Sequence, residues 1–222
     1  MKILAIDTST EVCSAALMVN EEVFAHSQLA PRQHAQLILP MIDKLLSDAS
    51  ISLSQLSCLA FSAGPGSFTG IRIATGVIQG LSYAVDLPVV PISTLAVLAQ
   101  GAYRQFSATN ILSALDARMK QVYWGVYKVK QEGVVESVCN DSVVNPENVF
   151  VPKSESWTGI GSGWDEYSAA LQKQLGDKLQ DFHIECHPLA QDILPLAEAK
   201  FAKKEYVSAA EVLPVYLREK VV

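Results

Sequence analysis

Charge is scarce in this chain. Lys, Arg, Asp and Glu make up 18% of its 222 residues, where an ordinary soluble domain carries roughly 25%. The shortage is uneven: residues 1–100 hold 4 basic and 7 acidic residues, and residues 101–222 hold 13 and 16. A first half so poor in ions cannot clothe itself in solvated charge. It is either wrapped by the second half or presents an apolar face to a partner. Positive charge is the scarcer sign, with 17 basic residues against 23 acidic and a net charge of −6, which argues against a protein that grips nucleic acid through its own field. Paired cysteines are lacking as well. Cys13, Cys58, Cys139 and Cys186 are scattered without a Cys-x-x-Cys, as expected of reduced, mostly buried thiols in a cytoplasmic protein. No apolar run approaches the ~20 residues of a membrane span, and the apolar stretch after Met1-Lys2 ends at Ile6, which argues against a secretory leader. Hydrophobic residues, by contrast, form 50% of the chain, enough to offset the entropy of ordering and to build one large α/β domain or two smaller ones.

Periodicity places the elements. Lys2–Asp7, Cys13–Val19 and Val23–Gln28 read as three strands joined by turns at Thr8–Glu11 and Asn20–Glu22. From Gln33 to Ala49 the period changes, and Ala35, Ile38, Leu39, Ile42, Leu45, Leu46 and Ala49 fall on one helical face, with Leu37, Met41 and His34 on a second stripe. Leu56–Ala63 is an expected strand, Phe68–Ala84 a helix and Pro88–Ile92 a strand, followed by a helix capped by Ser93 and running to about Tyr103. The opening then recurs. Asn110-Ile-Leu-Ser-Ala-Leu-Asp116 matches Lys2-Ile-Leu-Ala-Ile-Asp7, Val122–Val129 matches Val12–Val19, and Val134–Cys139 matches Val23–Gln28. Offsets that drift by one residue at a time are what small turn insertions produce, so the pattern reads as an internal duplication. A strand at Trp157–Ile160, a helix at Asp165–Leu175, a strand at Phe182–Cys186 and a helix at Leu189–Lys204 complete the second half. The expected domains are a first lobe at 1–105, completed by a C-terminal segment, a second at 106–210, and a tail at 211–222.

Two three-stranded meanders whose first strands end in Asp resemble the duplicated ribonuclease-H-like layout of the actin, sugar kinase and Hsp70 superfamily. More closely, the chain resembles the bacterial TsaB (YeaZ) family through Ile6-Asp7-Thr8-Ser9-Thr10, Gly64-Pro65-Gly66-Ser67-Phe68-Thr69-Gly70-Ile71-Arg72, Leu115-Asp116-Ala117-Arg118-Met119 and Pro214-Val215-Tyr216-Leu217-Arg218. The resemblance spans nearly the whole chain. It implies an α/β fold of two lobes with mixed sheets, and a role in forming threonylcarbamoyladenosine beside the anticodon of tRNA. The implied protein is a non-catalytic partner of the metal-dependent paralogue TsaD, acting with the ATPase TsaE and meeting tRNA only through the complex.

Further absences bear on chemistry. ATP-binding members of the superfamily hold phosphates on hairpin turns whose backbone N–H groups face the anion, an approach that glycine permits. Thr8-Ser9-Thr10-Glu11 and Ala117-Arg118-Met119-Lys120 contain no glycine, so Asp7, Thr8, Asp116 and Arg118 mark degenerate phosphate turns. Asp7 and Asp116 could hold magnesium or orient a water, or simply cap the turn backbone. Gly64-Pro65-Gly66-Ser67 could receive an anion at a helix N-terminus, or form a tight turn that lets strand and helix pack closely with Ser67 as N-cap; no lysine follows as a phosphate loop requires. Gly159-Ile160-Gly161-Ser162-Gly163 reads as a vestigial adenosine loop or a plain strand-to-helix turn. His183-Ile184-Glu185-Cys186-His187 reads as a strand with Phe182, Ile184 and Cys186 inward, which puts its histidines about 13 Å apart at ~3.3 Å per residue, too far for one metal ion. Where the paralogue carries a metal-binding His-x-x-x-His, this chain has Thr94 and Leu98, and His34 reads as a lone polar residue on a helix face.

The expectation is therefore no catalytic, metal or cofactor site in the isolated chain, with nucleotide held only at an interface shared within the complex. Leu37 and Met41, with Ile73, Val77 and Gly80 of the next helix, are the expected docking face for the paralogue or for a second copy in a homodimer. The rivals are an ATP-dependent small-molecule kinase and a metallopeptidase-like enzyme of the same superfamily.

Overall fold

The computed structural model describes residues 1–130, 132–153 and 156–218. They form two compact units: Met1–Val97 with Pro188–Val215, and Leu98–His187 with Tyr216–Val222, described as far as Arg218. The tail expected at 211–222 lies partly outside the described residues.

The first unit is built on a five-stranded sheet. Its strands are β1 (Lys2–Asp7), β2 (Val12–Val19), β3 (Glu22–Leu29), β4 (Cys58–Gly64) and β5 (Val89–Ser93), in the order β3-β2-β1-β4-β5. The meander β1–β2–β3 is antiparallel, whereas β4 and β5 run parallel to β1. Alternate residues of a strand face opposite sides, so the sheet needs two covers. Leu4, Ile6, Ala15, Leu17, Leu59 and Phe61 share a core with Ile38, Ile42 and Leu45 of α1 (His34–Asp48) and with Ala74 and Ile78 of α2 (Phe68–Val85). On the opposite face, Ser14 accepts a hydrogen bond from the Ala190 N–H at 2.9 Å, where α5 (Ala190–Ala202) begins.

That packing corrects two expectations. The helix expected in the second lobe belongs to the first unit, because its apolar side covers the first sheet. The buried face of α1 is His34, Ile38, Ile42 and Leu45, flanked by half-buried Leu37 and Met41, while Ala35 and Leu39 are exposed. α1 lies against α2 as well as the sheet, which turns its packed face toward the second stripe and buries His34.

The second unit repeats the topology. After α3 (Thr94–Phe106) come β6 (Asn110–Asp116), β7 (Val122–Val129), β8 (Val135–Ser137), β9 (Ser142–Val144), β10 (Trp157–Ile160), α4 (Ser162–Leu175) and β11 (Leu179–His183). Their sheet order, β8-β7-β6-β10-β11, is that of the first sheet, again an antiparallel meander with two parallel strands beside its first member. The third strand expected at Val134–Cys139 is instead split into β8 and β9, both on β7. The break falls near Gly125, where the Tyr127 ring and Asp141 occupy the space a side chain would need. β11 also starts and ends earlier than expected. Phe182 stacks on Trp164 at 5.5 Å, and the His183 carbonyl accepts from the Gly161 N–H at 2.9 Å, beyond which the chain leaves the sheet and Ile184 is exposed. Trp124, Trp157 and Trp164 fill the core of this unit. No helix of the described residues is long and apolar enough to cross a membrane.

The α1 correction is directly measurable. Ile38→Ala should cost about 2–5 kcal/mol in urea unfolding, as cavity-forming core truncations do, whereas Leu39→Ala should stay within roughly 0.5 kcal/mol. Equal costs would return Leu39 to the packed face.

Candidate functional site

β1 ends on Asp7, in the middle of the first sheet and fully buried. Its Oδ1 accepts from the Ser9 N–H at 2.9 Å and the Ser9 hydroxyl at 2.8 Å, and its Oδ2 from the Ser62 hydroxyl of β4. Accepting from the N–H two residues on is the Asx turn that aspartate favours. Burial is the largest influence on this carboxyl and lifts its pKa from 3.8 to about 6, against the lowering effect of the three hydrogen bonds. Asp192 of α5, itself buried, pushes in the same direction as burial.

The turn after Asp7 is filled by protein. Thr8 Oγ1 donates to the Gly70 carbonyl at 2.7 Å, and the Ser67 N–H donates to the Ser9 carbonyl at 2.8 Å. A Cβ at Gly66 would come within 2.5 Å of the Ser9 carbonyl oxygen, and one at Gly70 would collide with that of Thr8. Ser67 caps α2, accepting from the Gly70 N–H at 3.3 Å. On the far side of the same loop, the Val215 N–H donates to the Ala63 carbonyl at 2.7 Å, and the Val215 carbonyl fills the space beside Gly64. The glycines of Gly64–Gly70 thus let backbone meet backbone.

The turn after Asp116 is held differently. Asp116 Oδ1 accepts from the Arg118 N–H at 2.8 Å and from the Tyr167 hydroxyl at 3.2 Å, and its Oδ2 pairs with the Arg118 guanidinium at 2.9 Å. Arg118, Met119 and Lys120 all take positive φ, between 55° and 60°, a region that costs a non-glycine residue roughly 1–2 kcal/mol. The second glycine run is again a matter of packing. Gly159 lies against the Trp164 ring, and Gly161 and Gly163 lie against Ala114, while the Trp164 indole N–H donates to the Leu112 carbonyl at 3.1 Å.

The remaining expected positions lie apart from these turns. Thr94 and Leu98 are buried in α3, and His34 is buried in α1, not set on an open helix face. Thr94 Oγ1 and His34 Nε2 have no hydrogen-bond partner among the described residues. His183 ends β11, stacked on Phe106 at 3.7 Å. Among the described residues no three His, Cys, Asp or Glu side chains gather as a metal-binding group. Leu37, Met41, Ile73 and Val77 are half-buried against the first core, and Gly80 is exposed, with no described atom within 4 Å of the place a Cβ would occupy. Burial also raises the pKa of the Cys13 thiol to about 11 and that of Cys58 to about 12. Reading the sequence missed Ser62 and Asp192: one is a small polar residue inside an apolar strand, and the other looks like an ordinary first-turn acid.

Two sheets of one order, each first strand ending in an aspartate that closes a turn, define a duplicated ribonuclease-H-like protein, with the first turn occupied by its own backbone. Comparison with known proteins narrows the class. Residues 22–222 match the family model described as TsaD: tRNA N6-adenosine threonylcarbamoyltransferase. The chain is 42% identical over its full length, and 96% of the relative's, to the tRNA threonylcarbamoyladenosine biosynthesis protein TsaB of Escherichia coli K12. It is 38% identical to the Haemophilus influenzae protein of the same name, over all of this chain and 95% of that one. The solved structure of YeaZ from Pseudomonas aeruginosa superposes with a TM-score of 0.91 at 43% identity, covering 97% of this chain and 99% of that one. The chain belongs to the TsaB (YeaZ) family.

The raised pKa of Asp7 has a definite sign. Between pH 4 and 6 the folded chain keeps a proton that the unfolded chain releases, so this carboxyl's contribution to stability is present below pH 4 and lost as the pH rises through 6. The full effect is about 3 kcal/mol. In urea unfolding at pH 4 to 7, Asp7→Asn should remove that decline relative to the parent. An unchanged pH slope would show that Asp7 titrates normally in the fold.

Proposed function

We propose that this chain is a non-catalytic accessory subunit for threonylcarbamoyladenosine modification of tRNA in the cytoplasm. It docks onto a TsaD-like paralogue and works with a TsaE-like ATPase. The full-length relation to proteins named for this biosynthesis carries the reading, and the interior of the first turn supports it. A kinase needs its phosphate turns open, whereas here the Thr8 hydroxyl and the Ser9 carbonyl are taken by α2 and the loop before it. A metallopeptidase needs imidazoles where this chain has Thr94 and Leu98. Nucleotide is then bound only at an interface shared with the partner. Isothermal titration calorimetry of the lone chain should accordingly find no micromolar ATP site; such a site would favour the kinase.

Docking falls to α1 and α2. Leu37, Met41, Ile73 and Val77 form a half-buried rim beside the exposed strip Gly76, Gly80 and Ala84. The strip has little side-chain bulk, so another backbone can come close. Lys44 is engaged with Asp48 at 3.0 Å, and Arg72 lies over the Phe68 ring at 3.6 Å. A carboxylate introduced here would be desolvated on association. Val77→Glu or Met41→Glu should cost several kcal/mol of association, enough to move a micromolar complex beyond detection, and Gly80→Leu should act by bulk. Sedimentation velocity with and without the paralogue, with circular dichroism for folding, decides it. Folded variants that associate normally would place docking elsewhere.

A further inference from the structure

The motif Pro214–Arg218 ends on a side chain that reaches back about a hundred residues. Arg218 Nη2 donates to the Ala117 carbonyl at 3.2 Å and to Gln121 Oε1 at 2.5 Å, and its Nη1 lies 3.2 Å from Met119 Sδ. All three residues belong to the turn between β6 and β7. The turn closes on itself through Gln121 N–H to the Arg118 carbonyl at 3.1 Å and Ala117 N–H to the Gln121 carbonyl at 3.0 Å. Between those bonds lie three successive left-handed residues, Arg118, Met119 and Lys120, none of them the glycine or asparagine that accepts this region readily. At the tip, Met119 is 72% exposed and the Arg118 side chain 86%.

We propose that Arg218 is a clip that holds this turn in its left-handed form, so that the Tyr216–Arg218 segment sets how the Arg118–Lys120 tip is displayed. With the clip engaged, Nη2 alone satisfies a backbone carbonyl and a side-chain amide oxygen while Nη1 reaches Met119, a rigid spread of donors that the compact ammonium of lysine on its flexible stem does not reproduce. With the clip released, the turn loses this contact from a distant part of the chain and relaxes toward ordinary right-handed backbone, withdrawing the tip. The switch has two states because left-handed and right-handed turns are separate wells and not a continuum.

Residue-resolved amide exchange tests this through the Ala117 and Gln121 N–H groups, which are bonded inside the turn. Arg218→Gln should speed their exchange at least tenfold while the rest of the β6–β7 ladder keeps its protection, and Arg218→Lys should fall between. Adding Lys120→Gly to Arg218→Gln places a residue at ease with positive φ in the turn and should restore most of the protection. Unchanged exchange in Arg218→Gln would overturn the proposal. So would a rise spread evenly over β6 and β7, which would make Arg218 a general stabiliser of its unit, or a failure of Lys120→Gly to rescue.

Discussion

The burial of one carboxyl organises the first unit. Asp7 stands at the end of the central strand with no solvent to share its charge, and a buried carboxylate without partners is costly enough to unfold a domain. The chain answers with Ser9 from the turn itself and Ser62 from the neighbouring parallel strand. Ser9 can serve only if the turn folds back tightly, and that turns the carbonyls of Thr8 and Ser9 toward α2. The loop before α2 must then come within backbone distance, so positions 66 and 70 cannot carry a side chain. A motif that looks made for phosphate is therefore explained by the needs of an aspartate.

The two halves keep one topology and solve the same corner differently. In the second unit Asp116 is partly solvated, its side chain 16% exposed, and it is tied by Arg118 and Tyr167. Where α2 and its loop cover the first turn, the second has three left-handed residues braced by Arg218. The glycines of the second run fit around Trp164 and the Ala114 backbone, so they too serve packing. What the duplication preserved is the strand order and the position of the aspartate. What diverged is everything that faces outward from the turn.

Strand order and duplication are legible because period-two runs ending in Asp recur at nearly constant spacing, and the hydrogen-bonding pattern of a meander follows from that alone. The helix faces are less legible. A wheel of α1 ranks Leu39 with the core, yet a helix that packs against both a sheet and a second helix buries a sector displaced from its most apolar stripe, and here the displaced sector includes His34. β11 misleads because Phe182, Ile184 and Cys186 alternate beyond the point where β10 stops offering a partner at Ile160. α5 misleads for a topological reason. Sequence adjacency favours the nearer sheet, but the apolar side of this helix complements the face of β1, β2 and β4 that α1 and α2 leave bare. Ser62, Asp192 and Arg218 carry no signal in spacing, since each acts on a residue tens or hundreds of positions away.

The charge deficit of residues 1–100 now has a mainly internal cause. β1, β2 and β4 are buried along almost their whole length, because α1 and α2 cover one face of the sheet and α5 the other. A strand buried on both faces has no place for an ion, so three such strands account for much of the missing charge without any partner. Composition alone therefore does not require a docking face. The proposed docking rests instead on α2, where Gly76, Gly80 and Ala84 are exposed on a helix that gains nothing locally from the glycines: each interior glycine weakens the helix by about 1 kcal/mol relative to alanine, and no atom of the described residues needs the room. In the proposed docking, glycines that neither a turn, nor a positive φ, nor an internal contact requires are where another backbone would approach. Gly66 and Gly70 satisfy the internal criterion, and Gly76 and Gly80 do not. Two glycines of one segment serve packing inside the unit and two leave an exposed strip, and the proposed docking rests on that strip and not on the shortage of charge.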